Sequence, residues 1–296
     1  MVIARIMGGL GNQMFQYSFG RALALRNDVP LKLDLTSYDV SMREYRLNRF
    51  RIVEEIASPA EVEKLTGIHR GSCFGARVRR RIRRHLRRVM PPSKMPVLTE
   101  HESRFDPAVL QPPGHVYLDG YWQSERYFAG IEDLLRKELI VRERPDRENE
   151  RLLAEIGASE SVSVHVRRGD YVSDLNVFRV HGVCPPEYYH AAVRRLAEVL
   201  GEPHIYIFSD DIPWAKENLR FEHPTTCVEH NGEEKDWEDF RLMSACRHHV
   251  IANSSFSWWA AWLCPNPDKI VIAPERWFAD PRRDSSDIAP RSWWRI

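Results

Sequence analysis

The chain has 296 residues, 43% hydrophobic and 29% charged, enough to bury one or two ordinary cores and too apolar for a disordered polypeptide. A formal net charge of +1 excludes global steering toward nucleic acid or an anionic membrane, so any basic site has to be local. Five scattered cysteines (Cys73, Cys184, Cys227, Cys246 and Cys264) are odd in number and form no CxxC spacing. They argue against a disulfide framework or a zinc site and fit a reducing compartment.

The opening MVIARIMGGLGNQ reads as a strand and turn where a signal peptide would need a charged and then a longer apolar region. No uninterrupted apolar run of about 18 residues follows, so the expected location is the cytoplasm. Val2 to Met7 predicts a short buried strand leading into Gly8 to Gln13. A helical pattern carrying Met14, Phe15, Tyr17, Leu23 and Leu25 comes next, then a strand at Leu31 to Leu35. Residues 60–115, with prolines at 91, 92, 96, 107, 112 and 113, give no clear periodicity. Val116 to Phe128 predicts an aromatic-rich strand and turn, Ile131 to Leu139 an amphipathic helix, and the polar stretch Arg142 to Glu150 a linker. The expected domains are therefore 1–150 and 151–296.

Beyond the linker, strands are expected at Ser161–Val166, Ile205–Phe208, Val250–Ala252 and Ile270–Ala273. Helices are expected at Pro186–Leu200, Asp239–Cys246 and Phe256–Leu263. This alternation calls for α/β units with parallel strands and crossover helices.

Three segments share one layout, an apolar strand that breaks into glycine or polar residues: MGGLGNQ, SVHVRRGDY and VIANSSFSWW. In open α/β sheets ligands bind beyond the carboxyl ends of the strands, where helix N-termini present free N–H groups. Alternation along SVHVRRGD puts Val162, Val164 and Val166 on one face and Ser163, His165 and Arg167 on the other. Arg167 can thus reach past the strand end with a fork suited to phosphate, or pair with Asp170 on the surface. Arg168 and Asp170 are either part of the site or mainly structural partners. His165 is either a core histidine or a pocket wall. Ser254 and Ser255 suit a helix N-cap or a phosphate site, two compatible uses of the same N–H groups.

Gly9-Leu10-Gly11 matches the first half of the dinucleotide fingerprint, but Met14 occupies the third glycine position, which weighs against NAD. No Asp-x-Asp, HExxH or clustered His/Cys spacing is present, so the charge of a leaving diphosphate would fall to Arg and backbone dipoles without a metal. Arg77 to Arg88 reads RVRRRIRRHLRR, with Val78, Ile82, Leu86 and Val89 as an apolar stripe. It predicts a solvated helix resting on the core, or an interfacial helix touching anionic lipid. Nucleic-acid binding lacks the interleaved aromatic residues it would need.

These segments, with LDGYWQSERYF (Leu118 to Phe128), FSDDIPW (Phe208 to Trp214) and DFRLMSACRHHVIANSSFSWWAAWL (Asp239 to Leu263), resemble the bacterial α-1,2-fucosyltransferases, relatives of the animal blood-group H enzymes. The likeness covers most of the chain and is weak over about 60–110. It implies a GT-B-like α/β architecture, two Rossmann-like domains facing a central cleft, with the acceptor on the N-terminal half and GDP-fucose on the C-terminal half. It further implies that Arg167, binding the β-phosphate, His165, lining the nucleotide pocket, and Asn12, near fucose, serve catalysis. Gly9, Leu10, Gly11 and Gln13 would approach the donor from the other half. Arg168, Asp170, Ser209, Asp210, Asn253, Ser254, Ser255 and Phe256 would bind it, with Asp239 on the guanine edge. The implied reaction is inverting and metal-independent, with no cofactor beyond the GDP-fucose donor, and it adds an α-1,2-linked fucose to a galactoside of a surface glycan. Asp170, Asp210 and Asp211 stay unranked as bases. A transferase of other regiochemistry or another GDP-sugar donor, a double-Rossmann oxidoreductase, and a lectin or nucleic-acid module are the alternatives.

Overall fold

The computed structural model describes residues 1–41, 43–67, 95–112 and 114–296; the Arg77–Arg88 run and Cys73 lie outside them. The chain divides into two compact units, Met1–Ile140 and Val141–Ile296.

The first unit carries a parallel sheet of β1 (Val2–Arg5), β2 (Leu31–Asp34), β3 (Val97–Thr99) and β4 (Val116–Asp119), in the order β2-β1-β4-β3. The helix Leu10–Arg26 returns the chain from β1 to β2, as the β-loop-α-β reading expects. It is buried on nearly every side. Tyr17 Oη donates to Glu138 at 2.5 Å and Arg21 donates to the same carboxylate at 2.8 Å, which fastens the helix to the segment Glu132–Glu138. Phe19 meets Trp122 and Tyr127, each at 4.8 Å between ring centroids. In the stretch that showed no periodicity, the helix Pro59–Thr66 starts on a capping box of Ser58 and Glu61 with Pro59 in its first turn. Its Val62 and Leu65 cover Ile3, Val97 and Tyr117 on one face of the sheet.

The second unit is a six-stranded parallel sheet of β5 (Ser161–Val166), β6 (His204–Ser209), β7 (Thr225–Val228), β8 (His248–Val250), β9 (Val271–Ala273) and β10 (Trp294–Arg295). Its order, β10-β9-β8-β5-β6-β7, steps outward from β5 in one direction and from β8 in the other. That is the Rossmann arrangement, with a topological switch point between β5 and β8. Val162, Val164 and Val166 pack with Ala192, Val193 and Leu196 of the helix Pro186–Leu200, together with Ile205, Ile207 and Ile272.

Two boundaries differ from the sequence reading for identifiable reasons. The strand expected at Val250–Ala252 is His248–Val250, because its ladder with β5 runs Val162–His248, Ser163–His249 and Val164–Val250. The expected linker Arg142–Glu150 is in part structured: Asp146 caps the helix Arg147–Ala158 through the Asn149 amide. The buried Asn149 side chain binds Asn231 at 2.8 Å. Residues 141–150 therefore fold with the second unit.

Candidate active site

Arg167 and Arg168 leave β5 on one side of the switch point, and Asn253 and Ser254 leave β8 on the other. The register His165–Phe208 and Val166–Ser209 sets the end of β6 alongside, so that Ser209, Asp210 and Asp211 flank the arginines. Arg167 is held between two carboxylates: one guanidinium nitrogen reaches Asp170, and another lies 2.8 Å from Asp210. Its guanidinium also stands 5.4 Å from the Tyr171 ring centroid. Arg168 donates to Asp211 at 3.0 Å and lies 3.9 Å over the Trp214 ring, while its backbone N–H donates to Asp210 at 2.8 Å. A side chain on Gly169 would put its Cβ 2.5 Å from an Asp210 oxygen, so the close approach of the two loops requires glycine there.

On the opposite face of β5 from the valines, Ser163 bonds His249 at 2.8 Å and His165 packs 5.6 Å from Phe256. His165 is 6% exposed, and its Nδ1 has no hydrogen-bond partner among the described residues. Burial, with the Arg167 charge second, lowers its pKa to about 3, so it is a neutral imidazole at pH 7. Phe256 stands in the first turn of the helix Ser255–Leu263, and Ser254 occupies the N-cap position without a side-chain capping bond. Phe256 also meets Phe240 at 5.6 Å, in the helix Asp236–Ala245. Asp239 belongs to that helix; burial raises its pKa to about 7, and Asn231 donates to it at 2.8 Å. Arg167, His165, Phe256, Ser254 and Asp210 thus share one rim, with Phe240 linking it to the helix of Asp239.

Other expected site residues have scaffold duties. Asn253 donates to the carbonyls of His181 (2.8 Å) and Trp277 (3.2 Å), and its own carbonyl accepts from Tyr171 Oη. Ser209 accepts from the Asp211 amide at 2.9 Å. In the first unit Gln13 has no exposed surface; it donates to the Gly8 and Glu44 carbonyls and accepts from the amides of Arg46 and Leu47. Leu10 and Gly11 are buried, and Gly9 is the helix N-cap. Asn12 accepts from the Gln123 side chain at 2.7 Å, joining the loops after β1 and β4. Met14, at the third glycine position of the fingerprint, is fully buried. Tyr171, Trp214 and His181 were not singled out from the sequence. Yet Tyr171 and Trp214 lie inside RRGDY and FSDDIPW, and a stack on an arginine is the aromatic signal that could have marked them. His181 stacks on Tyr171 at 4.7 Å.

A forked cation and a helix N-terminus without a side-chain cap, at a Rossmann switch point, are groups of the kind that suit a diphosphate. The fold matches that of a Bradyrhizobium fucosyltransferase, NodZ, with a TM-score of 0.53 at 14% identity over 89% of this chain and 92% of that one, which makes the architecture GT-B-like. Residues 104–296 match the pattern of glycosyl transferase family 11, and the chain belongs to that family. It is 35% identical to an α-1,2-colitosyltransferase of Escherichia coli over 310 residues, 100% of this chain and 99% of that protein. It is also 25% identical to human galactoside α-(1,2)-fucosyltransferase 1 over 164 residues, 53% of this chain and 45% of the human one. Family membership removes the oxidoreductase, lectin and nucleic-acid readings. Among the described residues no three His, Cys, Asp or Glu side chains group to hold a metal ion, and no helix is long and apolar enough to cross a membrane.

Proposed function

We propose that this family 11 glycosyltransferase moves L-fucose from GDP-β-L-fucose to the 2-hydroxyl of a galactoside with inversion, and needs no metal. The observation that carries the reading is Arg167, forked between Asp170 and Asp210 beside the unpartnered Nδ1 of His165 and the uncapped helix at Ser254. The diphosphate seats on the N-terminus of the helix Ser255–Leu263, and Arg167 turns from its carboxylates to the β-phosphate. There it meets the charge that grows as the C1–O bond breaks, an interaction stronger in the transition state than before it. His165, neutral and buried against Phe256, offers one polar atom to the nucleotide without adding charge. Asp239, in its carboxylate form, accepts from the N–H groups of the guanine edge. The acceptor hydroxyl attacks C1 in line, passing through an oxocarbenium-like state.

The full-length similarity to a colitosyltransferase favours a second reading, in which the donor sugar is colitose. Colitose lacks the 3-hydroxyl of fucose. A site built to hydrogen-bond that hydroxyl rejects the deoxy sugar by roughly 10⁴–10⁵, whereas an apolar wall discriminates far less. The test is kcat/KM for GDP-fucose against GDP-colitose on a panel of β-galactosides, with linkage analysis of the product. A melting temperature that GDP raises and NAD does not supports either donor; absence of that shift refutes both.

A further inference from the structure

The first unit holds a cavity of about 650 Å³ where β3 and β4 end, walled by Glu100, His101, Arg104, Phe105, Trp122 and Tyr127. We propose that this cavity is the acceptor-sugar subsite, binding a neutral pyranoside through the Glu100 carboxylate, the Trp122 indole N–H and the exposed head of Arg104. This rests on the transferase reading above and adds to it the residues that hold the acceptor.

The loop is shaped around Glu100. Its two carboxylate oxygens accept from the backbone N–H groups of Tyr121 (2.6 Å) and Trp122 (2.9 Å). A Cβ on Gly120 would come within 2.3 Å of the Glu100 Cβ and 2.9 Å of the Trp122 ring, so the loop closes only around glycine. Trp122 is held at φ +58°, a left-handed conformation that a bulky side chain adopts at a cost and that clusters at ligand sites. Trp122 is 1% exposed, yet among the described residues its indole Nε1–H has no hydrogen-bond partner. A buried tryptophan N–H ordinarily finds an acceptor, so an orphan in a cavity wall suits an incoming hydroxyl oxygen.

The chemistry selects the ligand. Glu100, Glu102 and Asp106 outnumber Arg104 around the cavity, which disfavours phosphate. Carboxylate, guanidinium and indole N–H together match vicinal hydroxyls, which both donate and accept, while the half-buried Phe105 supplies the apolar surface that a sugar's C–H face covers. The volume lies within the roughly 300–1,000 Å³ that small-molecule sites occupy. Burial also raises the Glu100 pKa, marking a carboxyl that gains from an added donor. Gln123, the next residue after Trp122, donates to Asn12, so the same loop is tied to the glycine loop at the end of β1.

The test uses the full chain with GDP bound and three probes: methyl β-D-galactoside, lactose and N-acetyllactosamine. Saturation-transfer NMR is expected to show at least one of them bound, and calorimetry gives its Kd. Trp122→Phe removes the N–H and shrinks the bicyclic indole to a single ring, so a melt accompanies it. Arg104→Ala alters an exposed side chain and keeps the fold in hand should the loop prove sensitive. Each is expected to weaken that galactoside by about tenfold or more, raising the acceptor KM with kcat nearly unchanged while the GDP Kd stays within twofold. No galactoside binding to the wild type, or unaltered Kd and KM in both variants, overturns the subsite. Galactoside binding without release of GDP from GDP-fucose or GDP-colitose would instead overturn the transferase reading and leave the subsite standing.

Discussion

Removing the fork of Arg167 separates a phosphate clamp from a surface ion pair. In Arg167→Ala, Asp170 and Asp210 face each other without the cation that now divides them, and the Arg167 side chain is only 22% exposed, so solvent screens the loss incompletely. Leaving charged groups unpaired costs about 1–3 kcal/mol of stability, and at roughly 2–4 °C per kcal/mol a melting shift of a few degrees is expected. Loss of one preorganised donor to the developing oxyanion costs about 10²–10³ in kcat, or roughly 2.7–4 kcal/mol. The rate effect should therefore persist at 20 °C, where the variant remains folded. Arg167→Lys should restore part of it, because a point charge returns without the planar fork. The assay is initial-rate kinetics with GDP-fucose and a verified acceptor, alongside circular dichroism and a melt. A kcat within threefold of wild type in a folded Arg167→Ala protein would refute the clamp and leave pairing with Asp170 as the residue's role.

Asp239, with a pKa near 7, has to be ionised to accept from guanine, so GDP affinity should strengthen as pH rises through 7. Calorimetry between pH 5.5 and 8.5 should approach a tenfold gain per unit below the pKa, and Asp239→Asn should flatten the profile; a flat wild-type profile excludes the guanine contact. Full activity is expected in excess EDTA, and a loss restored by Mn²⁺ or Mg²⁺ would overturn metal independence. Gly169→Ala forces a Cβ to 2.5 Å from Asp210 and should weaken GDP binding while leaving far-UV dichroism intact; normal GDP affinity would show that the two loops can separate without harm. Replacing Arg79, Arg80, Arg83 and Arg84 by Gln should reduce binding to anionic vesicles without loss of transfer to a free acceptor, and a wild type that binds no vesicles leaves only the solvated-helix reading.

The strands and helices that surround the site were legible because period-2 and period-3.6 patterns are local. Ser161–Val166 and Pro186–Leu200 fall where the sequence places them, and the valine face of β5 is the face that packs on the helix. The strands that escaped notice, β3 (VLT), β7 (TTCV) and β10 (WR), are as short as others that were read, but they lack the run of consecutive apolar residues that marks β1 (VIAR) and β9 (VIA). The helix Arg147–Ala158 escaped because its polar opening resembles a linker, although Asp146 caps it through the Asn149 amide and the Asn149 side chain, bonded to the buried Asn231, pins it to the second unit. That contact spans 82 residues of sequence and cannot be read from either end.

Sequence reasoning could name the polar residues at the strand ends but could not divide them into those that serve the chain and those that await a ligand. Gln13 and Arg167 look equivalent as motif residues, each beyond an apolar strand and two positions from a glycine. The difference lies in their partners. Gln13 has four backbone partners and no exposed surface, so recruiting it to a donor would break bonds that hold the loop after residue 43 to the first turn of the helix. Arg167 holds two side-chain carboxylates at a rim, so turning it to a phosphate would break ion pairs and none of the backbone hydrogen bonds that shape the loop. His165 Nδ1 and Trp122 Nε1 go further, being buried without a partner among the described residues. Folding leaves such groups unsatisfied at a cost unless something else completes them. Under the proposed function a bound donor would complete the first, at a strand's carboxyl end, and under the further inference a bound acceptor would complete the second, in a cavity wall. If both sites are filled and either nitrogen still lacks a partner in a ternary complex, that inference is wrong for that residue.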